Sequence, residues 1–393
     1  MIRFEEAYAL VLSRVVTIQK PERVLLLESL HRVLAEDIVS DINMPPFRKS
    51  AVDGFACRMS DLRMPLKIVE TIAAGSLPTM QVEPGTCAKI MTGAPIPLGA
   101  DCVLPVEDTR LADDLYVEFT GMEAKKNICE LGEDIRIGDV SVNKGIIIGP
   151  QHIAIMAALG YHQPLVATQP RVGILPTGDE LVEPNIKPLG GQIRNSNGYQ
   201  LVAQTKAAGA LPSYYGIVSD SKDATYEVLA KAIAENEVVT LTGGVSMGDY
   251  DYVPEIMEKL GVTIHFSSVA VQPGKPTTFG TLDNKLVFGL PGNPVSAFIQ
   301  FELLVKPAIR KLMGCKQLNP TAIRLPLAED YRRNRAERMA LVPVKIIAGS
   351  AALPVEFHGS AHIFALGNAD GIIAVPIGTT KIDKGEIVDV RPL

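Results

Sequence analysis

The chain has 393 residues, 47% of them hydrophobic and 21% charged, with a formal net charge of −6. That length exceeds one ordinary domain and sets two to four as the expectation. The negative balance excludes a whole-protein field that attracts nucleic acid, while leaving room for a local basic pocket. The 33 glycines and 28 prolines are spread along the chain, which predicts many turns between short elements rather than a disordered tract. The start, Met1-Ile2-Arg3-Phe4-Glu5-Glu6, lacks the charged-then-apolar order of a signal peptide, and no apolar run reaches the ~18 residues of a membrane span. Cys57, Cys87, Cys102, Cys129 and Cys315 are odd in number and show no CxxC spacing. They argue against a disulfide framework or a zinc site, and they read as small core residues of a protein in a reducing cytoplasm.

In chain order, Phe4, Ala7, Leu10, Val11 and Val15 recur at three and four, which predicts a helix over 4–17. A second, shorter helix is expected over 29–35. Met44-Pro45-Pro46-Phe47 then breaks regular structure. Residues 66–142 read as short strands between turns, for example 66–72, 86–91, 102–105 and 115–119. A more helical texture returns over 146–159. From Arg171 buried strands alternate with helices: strand from 171, helix 197–208, strand 214–218, helix 224–235, strand 238–242, helix 253–260, strand 286–290 and a long helix 294–312. This alternation predicts a doubly wound parallel sheet, whose ligands sit beyond the carboxyl ends of the strands. Residues 320–393 carry short alternating runs with glycine turns and suit a small all-β domain. The expected class is therefore a multidomain α/β plus β protein.

Five motifs carry the chemistry. In Pro45-Pro46-Phe47-Arg48-Lys49-Ser50-Ala51-Val52-Asp53-Gly54, Ser50 and Asp53 either contact a ligand or partner subunit, or Asp53-Gly54 is only a β-turn. In Ile90-Met91-Thr92-Gly93-Ala94-Pro95, Thr92 either helps hold an anion or belongs to a plain turn. Thr177-Gly178-Asp179-Glu180, followed by Asn195-Ser196-Asn197 ahead of a helix, suits an oxygen-ligated Mg²⁺ near a phosphate, or helix capping alone. Gly243-Gly244-Val245-Ser246-Met247-Gly248-Asp249-Tyr250-Asp251 ends a buried strand. Its glycines admit a bulky anion, Ser246 can donate to phosphate, and Asp249 and Asp251 can place Mg²⁺ or catch a ring edge; a solvated loop is the plain alternative. Lys275, in Gln272-Pro273-Gly274-Lys275-Pro276, is either a fixed charge for an oxyanion or a solvated lysine. Gly292-Asn293-Pro294-Val295-Ser296 opens the long helix, with Asn293 as N-cap and Pro294 at the first position. Neither a metal-ligand histidine spacing nor a G-x-S-x-G elbow is present, so positioning and electrostatics are favoured over a covalent enzyme intermediate.

These motifs, in this order, resemble the molybdopterin molybdenumtransferase family, which includes bacterial MoeA and the E domain of gephyrin; the likeness spans roughly 1–393. The resemblance implies an inserted β-rich domain at 43–141 and an N-terminal linker and dimerisation domain made of 1–42 with 142–168. It implies an α/β molybdopterin-binding domain at 169–316 and a β domain at 317–393. It implies a homodimer, adenylylated molybdopterin and molybdate as substrates, AMP as a product, a Mg²⁺ requirement, and a hand-over partner in the molybdopterin adenylyltransferase. Carried over by motif, Asp179, Glu180, Asp220, Asp251 and Lys275 are catalytic, with Glu180, Asp220 and Asp251 on the metal. Ser50, Asp53, Thr92, Asp134, Gly243, Gly244, Ser246, Asp249, Gly292, Asn293, Pro294 and Ser296 bind substrate. The chain departs from the family pattern at Arg48, where an aspartate is frequent, and at Ser268 and Gln272, where basic residues are frequent. Oxyanion binding should weaken unless Arg48, Lys49 or the run Arg332-Arg333-Asn334-Arg335 compensates. The departures keep two other readings open: a non-catalytic molybdopterin-binding paralogue or scaffold, and a nucleotide pyrophosphatase built on the shared α/β section.

Overall fold

A computed structural model describes residues 1–244, 252–356, 359 and 361–393. Ser246, Asp249 and Asp251 lie outside the described residues. The chain forms two compact units, one of residues 37–143 with 150–162, the other of residues 1–36, 144–149 and 163–393.

The smaller unit is built on a six-stranded sheet in the order Cys102–Pro105, Gly54–Cys57, Thr86–Ile90, Leu66–Ile72, Tyr116–Phe119, Thr109–Asp113. Alternation along the strands covers both faces: Phe55, Cys57, Leu66 and Leu104 pack on one, and Ala56, Ile72, Ala88 and Ile90 on the other. Cys57 lies opposite Cys102 on one neighbour and Cys87 on the other. All five cysteines are free thiols. The hydrogen bond with Cys102, together with burial, pushes the Cys57 thiol up, and burial pushes Cys87 up to about 12. Because the thiolate is the nucleophile, iodoacetamide at pH 8 should label the half-buried Cys129 and leave Cys57, Cys87 and Cys102 unmodified, as peptide mass spectrometry would show. Labelling of Cys57 in the folded protein would contradict this packing.

In the larger unit the first helix runs Phe4–Ser13 rather than to residue 17. Val15, Val16, Thr17 and Ile18 are consecutive β-branched residues, and the Ile18 N–H donates to Leu312 O instead of continuing the helix. The expected helix over 29–35 is absent; a single 3₁₀ turn, Leu26–Ser29, stands near it. His31 takes φ +64°, which no right-handed helix accommodates, and Val33 bridges to Ile147.

The central sheet has the order Leu211–Tyr214, Arg171–Pro176, Val238–Thr242, Lys285–Leu290, Thr278–Leu282, Thr263–Phe266. The first four strands are parallel and the last two antiparallel. The all-parallel expectation thus holds for four strands; the outer two form an antiparallel extension. The expected strand at 214–218 sits earlier, at Leu211–Tyr214. Side chains alternate between two cores. Val172, Ile174 and Phe288 meet Leu201 and Val295 on one face, while Leu175, Leu241 and Val287 meet Leu229 and Ile256 on the other. Helices on both faces make the sheet doubly wound. The long helix starts at Pro294 and passes through a π-helical stretch, Phe301–Val305, before Lys306–Leu312. Pro307 brings no N–H to the ladder, and the loosened turn precedes it.

The C-terminal sheet runs Val271–Gln272, Met339–Ile347, Gly371–Val375, Ile387–Pro392, Ile323–Pro326, with Ala351–Pro354 beside Met339–Ile347. Its first strand comes from the α/β portion and pairs in parallel with Met339 and Ala340.

Candidate active site

Reading the four parallel strands by their order in the chain gives 2-1-3-4, so the winding direction reverses between Arg171–Pro176 and Val238–Thr242. Loops leaving these two strands diverge to opposite faces and open a crevice at their carboxyl ends. A cleft of about 740 Å³ lies there, walled by Thr177, Glu180, Thr242, Gly243, Gly244 and Gly292 among others.

Its floor is close-packed backbone. Gly243 takes φ +98°, and a Cβ there would stand 2.6 Å from Thr177 Oγ1 and 2.7 Å from Thr177 O. Gly292 backs onto it, with its own Cβ position at a contact distance of 3.7 Å from Gly243 Cα. The close approach requires glycine at Gly243, whereas a Cβ at Gly292 would make an ordinary contact. Gly243, Gly244, Gly292, Asn293 and Pro294 all line the cleft. Asn293 holds the N-cap position of the following helix and Pro294 takes the first turn, as the sequence reading had them, though the Asn293 side chain makes no capping bond. Ser296 is buried within that helix and off the cleft wall.

Carboxylates from the loops after Arg171–Pro176 and Leu211–Tyr214 meet. The Asp220 N–H donates to Asp179 Oδ1 at 3.0 Å and the Asp179 N–H to Asp220 Oδ2 at 3.4 Å, so each carboxylate is held by the other's backbone. Tyr252 stands near both: burial first, then the charges of Asp220 and Asp179, push its hydroxyl above the usual tyrosine range. Glu180 points into the cleft. Among the described residues no three acidic, histidine or cysteine side chains form a closed metal cage. The expected third ligand, Asp251, lies outside them, as do Asp249 and Ser246.

The basic side differs from expectation. Lys275 is exposed and makes no ion pair among the described residues; its neighbour Pro276 forms the wall. Arg333 is not available to an anion, because its guanidinium donates to the carbonyls of Thr379, Arg338 and Pro376 at 2.6–2.7 Å. Arg332 pairs with Asp330 at 3.1 Å. Arg194 lines the cleft instead; it is exposed, with Nε donating to the Pro184 and Ile186 carbonyls. Arg194 was not among the expected site residues; its place just before the Asn195 cap was the available signal. Asn195 Oδ1 caps Gly198 N at 2.9 Å, and its Nδ2 donates to Tyr214 Oη, which in turn donates to Glu183.

In the smaller unit, Asp53 accepts from both the backbone and the hydroxyl of Thr92, at 2.6 and 2.9 Å. Ser50 is buried and its hydroxyl donates to Val52 O at 2.5 Å, so it holds the loop rather than facing solvent. Asp134 lines a separate depression of about 590 Å³ with Met44, Ser141 and Ile155. Arg48 pairs with Glu130 at 3.1 Å, and Glu130 also pairs with Lys126 at 2.6 Å. The Thr92 backbone bond, then its hydroxyl, hold the Asp53 carboxyl below its ordinary 3.8. A depressed value means the contact contributes fully above 3.8 and is lost as pH falls through the lower, folded value. The Thr92 amide resonance should therefore titrate with a midpoint below 3.8; a midpoint at or above that value would show the bond is not made.

Three family models match in succession: the MoeA N-terminal region (domain I and II) over residues 2–160, a probable molybdopterin binding domain over 173–311, and the MoeA C-terminal region (domain IV) over 324–393. A molybdopterin molybdenumtransferase of Staphylococcus epidermidis is 38% identical over 372 residues, covering 92% of this chain and 89% of that one. The chain belongs to the MoeA family of molybdopterin molybdenumtransferases. Its counterpart in Staphylococcus aureus strain COL is 36% identical over the same length. Among solved structures, the molybdopterin biosynthesis moeA protein of Pyrococcus horikoshii OT3 superposes over all of both chains with a TM-score of 0.87 at 29% identity. As a MoeA family member the chain is a transferase of molybdenum cofactor biosynthesis. The central cleft falls inside the segment matched as molybdopterin binding, apart from Ala361, Ile363 and Phe364 on the C-terminal side.

Proposed function

We propose that this cleft takes adenylylated molybdopterin and molybdate and returns molybdenum cofactor and AMP. The observation that carries the reading is the cleft at the reversal point of the sheet, with a glycine floor for a phosphate and Glu180 on its wall, next in sequence to the Asp179 that is bonded to Asp220. Floor amides and Arg194 orient the anion, Lys275 stands at the rim for an oxyanion, and the glycines let the phosphate approach backbone. The acidic donors are all oxygen, which fits a hard divalent cation such as Mg²⁺; Glu180, Asp220 and Asp251 would hold it. When bound, the cation supplies charge neutralisation at the phosphates. Asp179 fixes Asp220 through its backbone bond, and Asp53 with Thr92 form a bonded pair within the smaller unit. The same reading includes the four-domain division, a cytoplasmic homodimer, and delivery of the substrate by an adenylyltransferase.

The test is direct. Purified protein supplied with adenylylated molybdopterin, Mg²⁺ and molybdate should release AMP and yield cofactor that activates a molybdenum-free apoenzyme. Absence of AMP release overturns the assignment, and pterin binding without turnover would instead mark a binding paralogue.

A further inference from the structure

The loop that carries Lys275 is built so that this side chain leaves it while its neighbours turn inward. Pro273, Gly274 and Thr277 are buried and Lys275 is exposed. The Lys275 carbonyl accepts from the Val269 N–H at 3.0 Å and from the Thr277 N–H at 2.9 Å. The fully buried Thr277 hydroxyl donates to the Gly274 carbonyl at 2.8 Å. These bonds close the loop on itself, and a further contact comes from a helix. Gln300, also fully buried, turns Nε2 toward the Pro273 carbonyl at 3.5 Å, the long end of a hydrogen bond. Its amide occupies the space that a side chain at Gly274 would need. Gly274 takes φ +109°, and a Cβ there would stand 2.3 Å from Gln300 Nε2.

Packing alone does not call for glutamine at this place. Gln300 Oε1 is buried and has no hydrogen-bond partner among the described residues, and a buried acceptor left unmade costs stability. Methionine would fill a similar volume without that cost. What the amide adds is a tie between two parts of the site. Gln300 ends the helical segment Pro294–Gln300, whose first residue lines the cleft beside the glycine floor. Six residues of helical rise are about 9 Å. A short rigid helix thus joins the floor to the base of the Lys275 loop, whose Pro276 forms part of the cleft wall.

We propose that Gln300 and Thr277 are positioning residues: they hold the Lys275 loop so that its ammonium meets the oxyanion in one place. Both are buried and act through Lys275. The proposal rests on the reading of Lys275 as the oxyanion-binding cation of the transferase.

Two variants of nearly unchanged shape test it, Gln300→Met and Thr277→Val, each removing one tie and each informative if the other fails to fold. Hydrogen exchange needs no turnover and is read by mass spectrometry on peptides spanning 265–280. The backbone amides of residues 269 and 277 should exchange about tenfold faster in either variant, with those of the strand at 238–242 unchanged. AMP release is then followed against molybdate and, separately, against adenylylated molybdopterin. The molybdate concentration for half-maximal rate should rise about tenfold through misplacement of the charge, while that for the pterin stays put. In a Lys275→Ala background neither variant should add a further shift, because the group they position is gone. Wild-type exchange at residues 269 and 277 overturns the proposal. So do equal shifts in both saturation curves, which mark a general structural role, and shifts that persist in Lys275→Ala. A molybdate curve untouched by Lys275→Ala takes Lys275 out of the reaction and overturns the positioning role with it, whatever the exchange shows. No AMP release from wild type removes the transferase reading instead, and the exchange result then decides whether the two residues brace the loop.

Discussion

Glu180→Gln is expected to lower kcat for AMP release on the order of a hundredfold, with the melting temperature unchanged. The substitution keeps shape and removes one charge at a position that is exposed on the cleft wall and carries no core packing. Asp179 and Asp220 are tied to each other's backbone amides, so their loss would also loosen the two loops; Glu180 is the acidic residue whose removal isolates charge from structure. The Mg²⁺ concentration for half-maximal rate should rise in parallel, because a ligand oxygen loses its charge. Unchanged kcat and unchanged Mg²⁺ dependence would take Glu180 out of the machinery.

Lys306→Met is expected to destabilise the fold by about 3–5 kcal/mol. Glu302 and Lys306 pair at 2.6 Å with side chains only 5% and 11% exposed. Gln204 donates to the other carboxylate oxygen at 3.0 Å, and Arg391 donates to the Glu302 carbonyl at 2.6 Å. Removing the ammonium leaves a buried carboxylate with one neutral partner. The double variant Glu302→Gln with Lys306→Met should recover most of the loss, because no uncompensated charge remains. Urea midpoints decide the matter: a single variant within about 1 kcal/mol of wild type would place the pair among ordinary surface bridges.

How far the sequence reaches depends on the range of the interaction. The parallel strands were legible because Val238-Val239-Thr240-Leu241-Thr242 and its neighbours are buried on both faces and read as continuous apolar runs. The glycine loops were legible because close backbone approach leaves few other residue types possible. Residues 263–266 and 278–282 gave no signal as antiparallel strands, since that pairing depends on partners far along the chain. Ser50 looked ligand-facing because a polar residue in a proline-rich loop does; only the folded loop turns its hydroxyl inward to Val52. Asn197 was visible as part of a capping cluster, but its bond to the Gly292 carbonyl joins positions ninety-five apart. Phe364 could not be placed at the cleft before the C-terminal segment was seen to supply part of the wall.

That late contribution sets an order of assembly during synthesis. Val271–Gln272 waits for Met339–Ala340 as its strand partner, and Arg391 reaches back to Asn319 and Glu302. A ribosome-bound chain that has completed the whole α/β sheet therefore still has an open cleft, without Phe364 and without the strand pairing that steadies Lys275.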